Sequence, residues 1–123
     1  MSTSGAIPVA IVDDDEHLCR SLARLVRQAG FRPLTFPSAE SFLASPDRLH
    51  MKCLLLDVHL GGMSGLALHR QLSAQGDATP VIYITAHDEM RTAAVNNGCA
   101  GFFLKTDSGA ALIEALRRVT MQP

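Results

Sequence analysis

Short runs of apolar residues recur along the chain, and each ends next to a polar or charged residue. A short apolar run bounded by glycine or polar residues is typical of a strand buried on both faces of a parallel sheet. The most uniform run, Cys-Leu-Leu-Leu at 53–56, is followed directly by Asp57. The pattern therefore predicts buried strands at residues 9–12, 53–56, 81–84 and 101–105.

The segments between these runs carry the apolar spacing and end signals of helices. The first helix is predicted from Asp15 or Glu16 to Gly30, and the glycines at 61, 62 and 65 predict a loop before the third helix. The fourth helix, predicted over residues 87–97, has a thin apolar face that suggests mobility or a partner. The other helices are predicted from Ser38 to about Ala44, from Leu66 to near Gly76, and after a cap at Asp107 or Ser108.

A further strand is predicted at residues 31–36, where Pro33 removes a backbone donor and favours the edge of a sheet. Five strands then alternate with five helices. This alternation predicts an α/β fold of three layers, a doubly wound parallel sheet with right-handed crossovers and helices on both faces. The length of 123 residues favours a single domain over residues 1–123.

Composition and charge argue against several classes of protein. The formal net charge is −1 at pH 7, whereas nucleic-acid binders typically carry a basic excess, so any DNA would be contacted by another domain. No apolar run approaches the roughly 20 residues that span a membrane, and residues 1–5 do not resemble a secretion signal. Cys19, Cys53 and Cys99 are isolated in sequence, which is typical of reduced thiols and predicts a cytoplasmic protein.

Polar side chains follow four of the predicted strands, and a doubly wound fold brings them to one edge of the sheet. They are Asp13 and Asp14, Asp57, Thr85, and Lys105. Three carboxylates in one place repel one another and favour a hard divalent cation such as Mg²⁺, which also binds phosphate oxygens. An ammonium and a hydroxyl group suit the oxygens of a phosphoryl group. Taken alone, Asp57 fits a nucleophile, a metal ligand or a helix cap.

Four segments, taken together and in this order, carry a family resemblance: Ile11–Asp15, Leu55–Asp57 with Gly65 closing its loop, Ile84–Ala86, and Phe103–Lys105. Over nearly its whole length the chain closely resembles the receiver domain of two-component response regulators. The resemblance implies a flavodoxin-like (βα)5 fold with strand order 2-1-3-4-5. It also implies a signalling function in a phosphorelay, with no enzymatic activity beyond the domain's own phosphorylation and dephosphorylation.

The resemblance assigns a role to each polar residue at the strand ends. Asp57 accepts a phosphoryl group from a sensor histidine kinase. Asp13 and Asp14 organise Mg²⁺ together with Asp57, and the backbone carbonyl of His59 is a further metal ligand. Lys105 binds the phosphoryl group.

The resemblance also implies how phosphorylation is transmitted. Thr85 is the switch hydroxyl, and Phe102 is the switch aromatic whose side chain reorients with it. Their movement rearranges the fourth helix and last strand and changes which partners bind. We expect a homodimer through the fourth helix, fifth strand and fifth helix. We also expect an output domain beyond residues 1–123 that binds DNA and controls transcription.

Two positions depart from the family pattern. Leu60 and Gly61 stand where the family usually has methionine and proline, which predicts a more flexible loop. Lys105 is followed by Thr106 in place of the usual proline, which is commonly in a cis peptide. Because a non-proline cis bond costs about 2.5–4 kcal/mol, a trans bond or a displaced loop is expected here.

Two histidines are candidate modulators of the phosphoryl site. His59 and His87 lie two positions beyond Asp57 and Thr85, where side chains of this family border the phosphoryl group and influence its hydrolysis. The hypothesis is that both imidazoles flank the phosphate and make its lifetime sensitive to pH, because histidine titrates near pH 6.5. Two solvated loop histidines are the alternative.

Three rival functions follow from the same residues. A pseudo-receiver that works without phosphate is supported by the departures at Gly61 and Thr106. A phosphohydrolase with an aspartyl nucleophile would need a second carboxylate where the chain has His59. A flavodoxin-like cofactor binder would need a glycine- and hydroxyl-rich phosphate loop after the first strand, where three consecutive aspartates would repel the phosphate.

Overall fold

Five parallel strands form a single sheet in the computed structural model, which describes residues 6–121. The order across the sheet is β2-β1-β3-β4-β5, as the sequence resemblance implied. The strands are β1 (Ile7–Val12), β2 (Phe31–Phe36), β3 (Cys53–Leu56), β4 (Val81–Thr85) and β5 (Gly101–Leu104). Strand β2 lies at an edge, and its Pro33 pairs with Val9 of β1, which confirms the edge position predicted from the proline.

Within residues 6–121, α-helices connect the successive strands, a fifth helix follows β5, and the five together cover both faces of the sheet. They are α1 (Glu16–Gln28), α2 (Ala39–Ala44), α3 (Gly65–Ala74), α4 (Arg91–Asn96) and α5 (Gly109–Met121). Asp15 caps α1, because its side chain accepts the backbone N–H of Leu18. Ser38 caps α2 in the same way through the N–H of Ser41, as predicted. Gly30, with φ +98°, makes the turn after α1.

Successive residues of each strand point to opposite faces, so the sheet separates two hydrophobic clusters. On one face, Ile11 and Leu55 belong to a cluster that α1 and α5 complete. On the other face, Val12 and Leu56 belong to a cluster that α2, α3 and α4 complete. The result is the predicted arrangement of helix, sheet and helix layers.

Three local predictions need correction. Gly65 does not lie in the loop but is the first residue of α3, capped by the Ser64 hydroxyl, and a Cβ at this position would collide with the carbonyl oxygen of Asp57. The predicted helix over 87–97 is divided, because a 3-10 turn at Asp88–Met90 precedes α4. A second 3-10 turn occupies Pro46–His50, where a loop was expected. Its start is capped by a serine hydroxyl followed by proline, an arrangement that favours a helical turn.

The cysteines and the helix lengths agree with the sequence analysis. Cys19 and Cys53 are buried free thiols, and Cys99 is half-buried and also free. Burial raises the pKa of Cys53 to about 12, so this thiol stays protonated within the core. Across residues 6–121, no helix has the length and apolarity needed to cross a membrane.

Candidate functional site

The carboxyl ends of β1, β3, β4 and β5 meet at one edge of the sheet, and their polar residues converge there. Asp13 follows β1, and its backbone N–H donates to the carbonyl oxygen of Phe36 at 3.1 Å. Asp57 follows β3, and its N–H donates to the carbonyl of Val12 at 3.0 Å. These bonds extend the strand pairing beyond the sheet and fix the backbone of both acids. Both side chains are nearly inaccessible, with exposures of 3% for Asp13 and 5% for Asp57.

Asp13, Asp14 and Asp57 form an acidic cluster. One carboxylate oxygen from each residue lies within 4.8 Å of the other two, and Asp14 is the exposed member. Burial raises the pKa of Asp13 from 3.8 to about 6, and the negative charge of Asp57 adds to the rise. The N–H of Asp15 donates to Asp13 Oδ1 at 2.8 Å, and this hydrogen bond lowers the pKa of Asp13 and so offsets part of the rise. Converging carboxylate oxygens that destabilise one another fit a hard divalent cation such as Mg²⁺.

Lys105 enters this cluster from the end of β5. Its Nζ lies 3.1 Å from Asp57 Oδ2 and 3.3 Å from Asp13 Oδ2. Partial burial alone would lower the pKa of Lys105, but the hydrogen bond and charge of Asp57, together with Asp13, raise it above its usual value. The ammonium group is therefore charged and shared between the two carboxylates.

The peptide bond after Lys105 is trans, since there is no cis peptide bond within residues 6–121, and this agrees with the prediction for Thr106. The loop is nevertheless not displaced from the site. The N–H of Lys105 donates to the carbonyl of Thr85 at 2.8 Å, and the side chain of Asp107 accepts the N–H of Leu104 at 2.8 Å. These two bonds hold the turn without the proline.

Thr85 and Phe102 lie on adjacent strands: Thr85 is the last residue of β4, and Phe102 lies within β5 opposite Tyr83. Thr85 is fully buried, and its Oγ1 accepts the N–H of His87 at 3.3 Å. Phe102 is half-buried, and the guanidinium carbon of Arg91 lies 4.6 Å from the centre of its ring. Arg91 also forms a 3.0 Å ion pair with Asp88, so the start of α4 rests on the Phe102 ring. Sequence reasoning missed Arg91, because an isolated arginine in a polar helix gives no signal.

His59 and His87 meet at the rim of the site. Their ring centres are 4.5 Å apart, and the ring planes are at 76°. The His59 N–H donates to Asp57 Oδ1 at 3.3 Å, and His87 Nδ1 lies 3.4 Å from a carboxylate oxygen of Glu89. Both histidines are exposed. The two rings therefore contact each other, while their position beside a phosphoryl group and their effect on its lifetime stay predictions.

A buried polar pair behind the site also escaped the sequence analysis. His69 Nδ1 of α3 and the Tyr83 hydroxyl of β4 are 2.8 Å apart, and Tyr83 is fully buried. Burial lowers the pKa of His69 and raises that of Tyr83 to about 12, so both groups are neutral at pH 7. Their hydrogen bond satisfies two polar groups within the core that α3 and α4 cover.

Comparison with known proteins shows a single, consistent relationship. The sequence model of the response regulator receiver domain matches residues 9–117. The response regulator protein TmoT of Ectopseudomonas mendocina is 38% identical over 111 residues, which are 89% of this chain and 50% of TmoT. The transcriptional regulatory protein FixJ of Azorhizobium caulinodans is 36% identical over 114 residues, 91% of this chain and 54% of FixJ. The chain thus spans about half the length of these relatives.

Solved structures agree with the sequence relationship. The crystal structure of FixJ-N superimposes with a TM-score of 0.84 at 34% identity and covers 95% of both chains. The BeF3-activated DrrB receiver domain gives a TM-score of 0.84 at 25% identity, covering 95% of this chain and 99% of that one. The chain belongs to the family of receiver domains of two-component response regulators, which are signalling proteins.

Proposed function

We propose that this receiver domain accepts a phosphoryl group on Asp57 from a sensor histidine kinase, with Mg²⁺ as cofactor. One observation carries the proposal: the Asp57 carboxylate is nearly buried, belongs to the acidic cluster and is hydrogen-bonded to Lys105. A carboxylate held in this way is aligned as a nucleophile and has a cation beside it. The pseudo-receiver alternative is not favoured, because Lys105 reaches Asp57 despite the departures at Gly61 and Thr106.

In the transfer step, an Asp57 oxygen attacks the phosphorus of the kinase's phosphohistidine. The new O–P bond forms as the P–N bond breaks, and the imidazole of the kinase leaves. Asp13, Asp14, Asp57 and the His59 carbonyl would hold Mg²⁺, which supplies charge neutralisation for the phosphoryl oxygens. Lys105 contributes a second cation from the carboxyl end of β5, at the same edge of the sheet, where its Nζ already contacts Asp57 Oδ2.

The switch depends on Thr85, whose hydroxyl also binds the phosphoryl oxygens, and on Phe102. A phosphoryl group on Asp57 adds negative charge, and the Thr85 hydroxyl turns to donate a hydrogen bond to one of its oxygens. This movement breaks the 3.3 Å contact between Thr85 Oγ1 and the His87 N–H. Phe102 then follows, and Arg91 loses the ring on which it rests. Because Arg91 is the first residue of α4, the helix shifts and different partners bind.

We also propose a place for this domain in a larger protein, and a partner for it. Residues 1–123 form the receiver of a longer cytoplasmic regulator whose output domain binds DNA and controls transcription. Support comes from relatives named as response or transcriptional regulators, of which this chain spans about half. Phosphorylation promotes a homodimer through α4, β5 and α5, where Val95 of α4 is exposed at 59%.

Incubation with Mg²⁺ and a small-molecule phosphodonor, followed by intact-mass measurement, tests the proposal. Wild type should gain the mass of one phosphoryl group, and Asp57→Asn should gain none. Chelation of Mg²⁺ should abolish the gain. An unmodified wild type under these conditions would contradict the proposal and support a pseudo-receiver.

A further inference from the structure

A hydrogen bond crosses from α2 to the loop between β3 and α3. Glu40 of α2 places Oε2 2.9 Å from the backbone nitrogen of Met63, which donates its N–H. The two residues are 23 positions apart in sequence, so α2 and the loop are joined by a tertiary contact. The hydrogen bond lowers the pKa of Glu40, which is therefore ionised at pH 7.

The loop is shaped to receive this carboxylate. Gly62 has φ +77°, a left-handed conformation that a side chain would strain. A Cβ atom at Gly62 would lie 2.6 Å from Glu40 Oε2 and would push the carboxylate away from Met63. Glycine at this position therefore allows both the turn and the close approach of Glu40.

The contact lies in the part of the loop that is least held by other bonds. At the start of the loop, the His59 N–H donates to Asp57 Oδ1. At its other end, the Gly65 N–H donates to the carbonyl of Val58 at 2.9 Å. Within residues 6–121, no hydrogen bond other than that of Glu40 links residues 60–63 to a neighbouring element. The side chains of Leu60 and Met63 also pack against the cluster completed by α2, α3 and α4. Because Gly61 and Gly62 lie between them, the backbone of this stretch would still sample more conformations without the hydrogen bond to Glu40.

We propose that Glu40 is a positioning residue that holds the β3–α3 loop in the conformation required for Mg²⁺ binding. The inference rests on the proposed function, since it assumes that the His59 carbonyl of this loop is a metal ligand. Glu40 itself does not touch the metal; its carboxylate fixes Met63, and Met63 limits the movement of the loop that carries His59. The loop therefore loses less conformational entropy when the ion binds.

The test compares Glu40→Ala, Glu40→Gln and wild type, with Glu114→Ala as a control that removes an exposed glutamate from α5. The first readout is hydrogen exchange of the Met63 amide in metal-free protein, measured by NMR. Exchange should accelerate in Glu40→Ala, whereas Glu40→Gln, which retains an acceptor oxygen, and Glu114→Ala should behave like wild type. Equal exchange in Glu40→Ala and wild type would overturn the inference.

The second readout is the Kd for Mg²⁺, taken from amide chemical shifts during titration. We expect Glu40→Ala to bind about tenfold more weakly, the lower end of the range for groups that orient metal ligands. Glu40→Gln should stay close to wild type. Equal losses in the Gln and Ala variants would mean that only the charge of Glu40 matters, and would overturn the positioning role.

Failure of the inference is distinguishable from failure of the proposed function. A wild type that binds Mg²⁺ and is phosphorylated, with an unchanged Kd in Glu40→Ala, refutes the role of Glu40 alone. A wild type that binds no Mg²⁺ refutes the proposed function and the inference together.

Discussion

The raised pKa of Asp13 predicts that this acid destabilises the metal-free protein at neutral pH. The pKa of Asp13 rises from 3.8 to about 6 on folding, chiefly because the side chain is buried. Between these pH values the folded protein binds more protons at Asp13 than the unfolded chain does, so its stability falls as the pH rises through this window. At 1.36 kcal/mol per pKa unit, the full effect is at most about 3 kcal/mol above pH 6.

Asp13→Asn removes this cost while keeping an oxygen for the N–H of Asp15. In Mg²⁺-free buffer we expect the variant to unfold with a free energy about 1–3 kcal/mol higher than wild type at about pH 7.5. The gain should vanish as the pH falls toward about 3, below both pKa values, where Asp13 is protonated in both states. Urea unfolding at the two pH values measures the difference, and Asp47→Asn, which changes an exposed aspartate, serves as the control.

Saturating Mg²⁺ provides a second comparison. Because the ion binds the folded protein and needs the Asp13 carboxylate, it should stabilise wild type more than Asp13→Asn. The difference in the free energy of unfolding between the two proteins should therefore become smaller. A variant less stable than wild type at about pH 7.5 without Mg²⁺ would refute the reasoning. A gain of equal size at both pH values would also refute it, because burial of the charge would then not be its cause.

Three other variants test separate parts of the structure. Lys105→Met should slow phosphorylation by a small-molecule phosphodonor at least about tenfold, since it removes the cation beside the attacking carboxylate; an unchanged rate by intact mass would contradict this role. Tyr83→Phe should lower the free energy of unfolding by about 1–3 kcal/mol, because it leaves the buried His69 without its partner; equal urea midpoints would argue against a stabilising pair. The double variant of His59→Ala and His87→Ala should weaken the dependence of the phosphorylated protein's half-life on pH between about 6 and 8, the range in which histidine changes its charge. A wild-type half-life that does not change across this range would contradict the role of the two rings.

The fold was predictable because its main signals are local in sequence. The apolar run before Asp57 could be satisfied only by burial on both faces, and Pro33 marked the edge of the sheet. The acidic cluster was predictable for a related reason. In a parallel sheet the residues that end neighbouring strands lie side by side, which brings Asp13 and Asp57 together. Lys105 ends β5, which β4 separates from β3, and its long side chain reaches both carboxylates across the end of β4.

Contacts between distant segments were not predictable, because nothing local encodes them. Glu40 and Met63 are joined across 23 residues, and Glu40 reads as an ordinary exposed acid. The pairing of His69 with Tyr83 depends on how α3 rotates against β4. Gly65 was assigned to the loop because glycine usually breaks a helix, whereas here the close approach of the Asp57 carbonyl requires it at the helix start.

Phe102 and Phe103 are neighbours in β5, and their side chains lie on opposite faces of the sheet. Phe103 packs against the cluster completed by α1 and α5, whereas Phe102 packs against the cluster completed by α2, α3 and α4. Under the proposed switch, a reorientation of Phe102 therefore acts first on the face of the sheet that α4 covers. A partner that distinguishes the two states is then expected to contact α4, which also belongs to the proposed dimer interface.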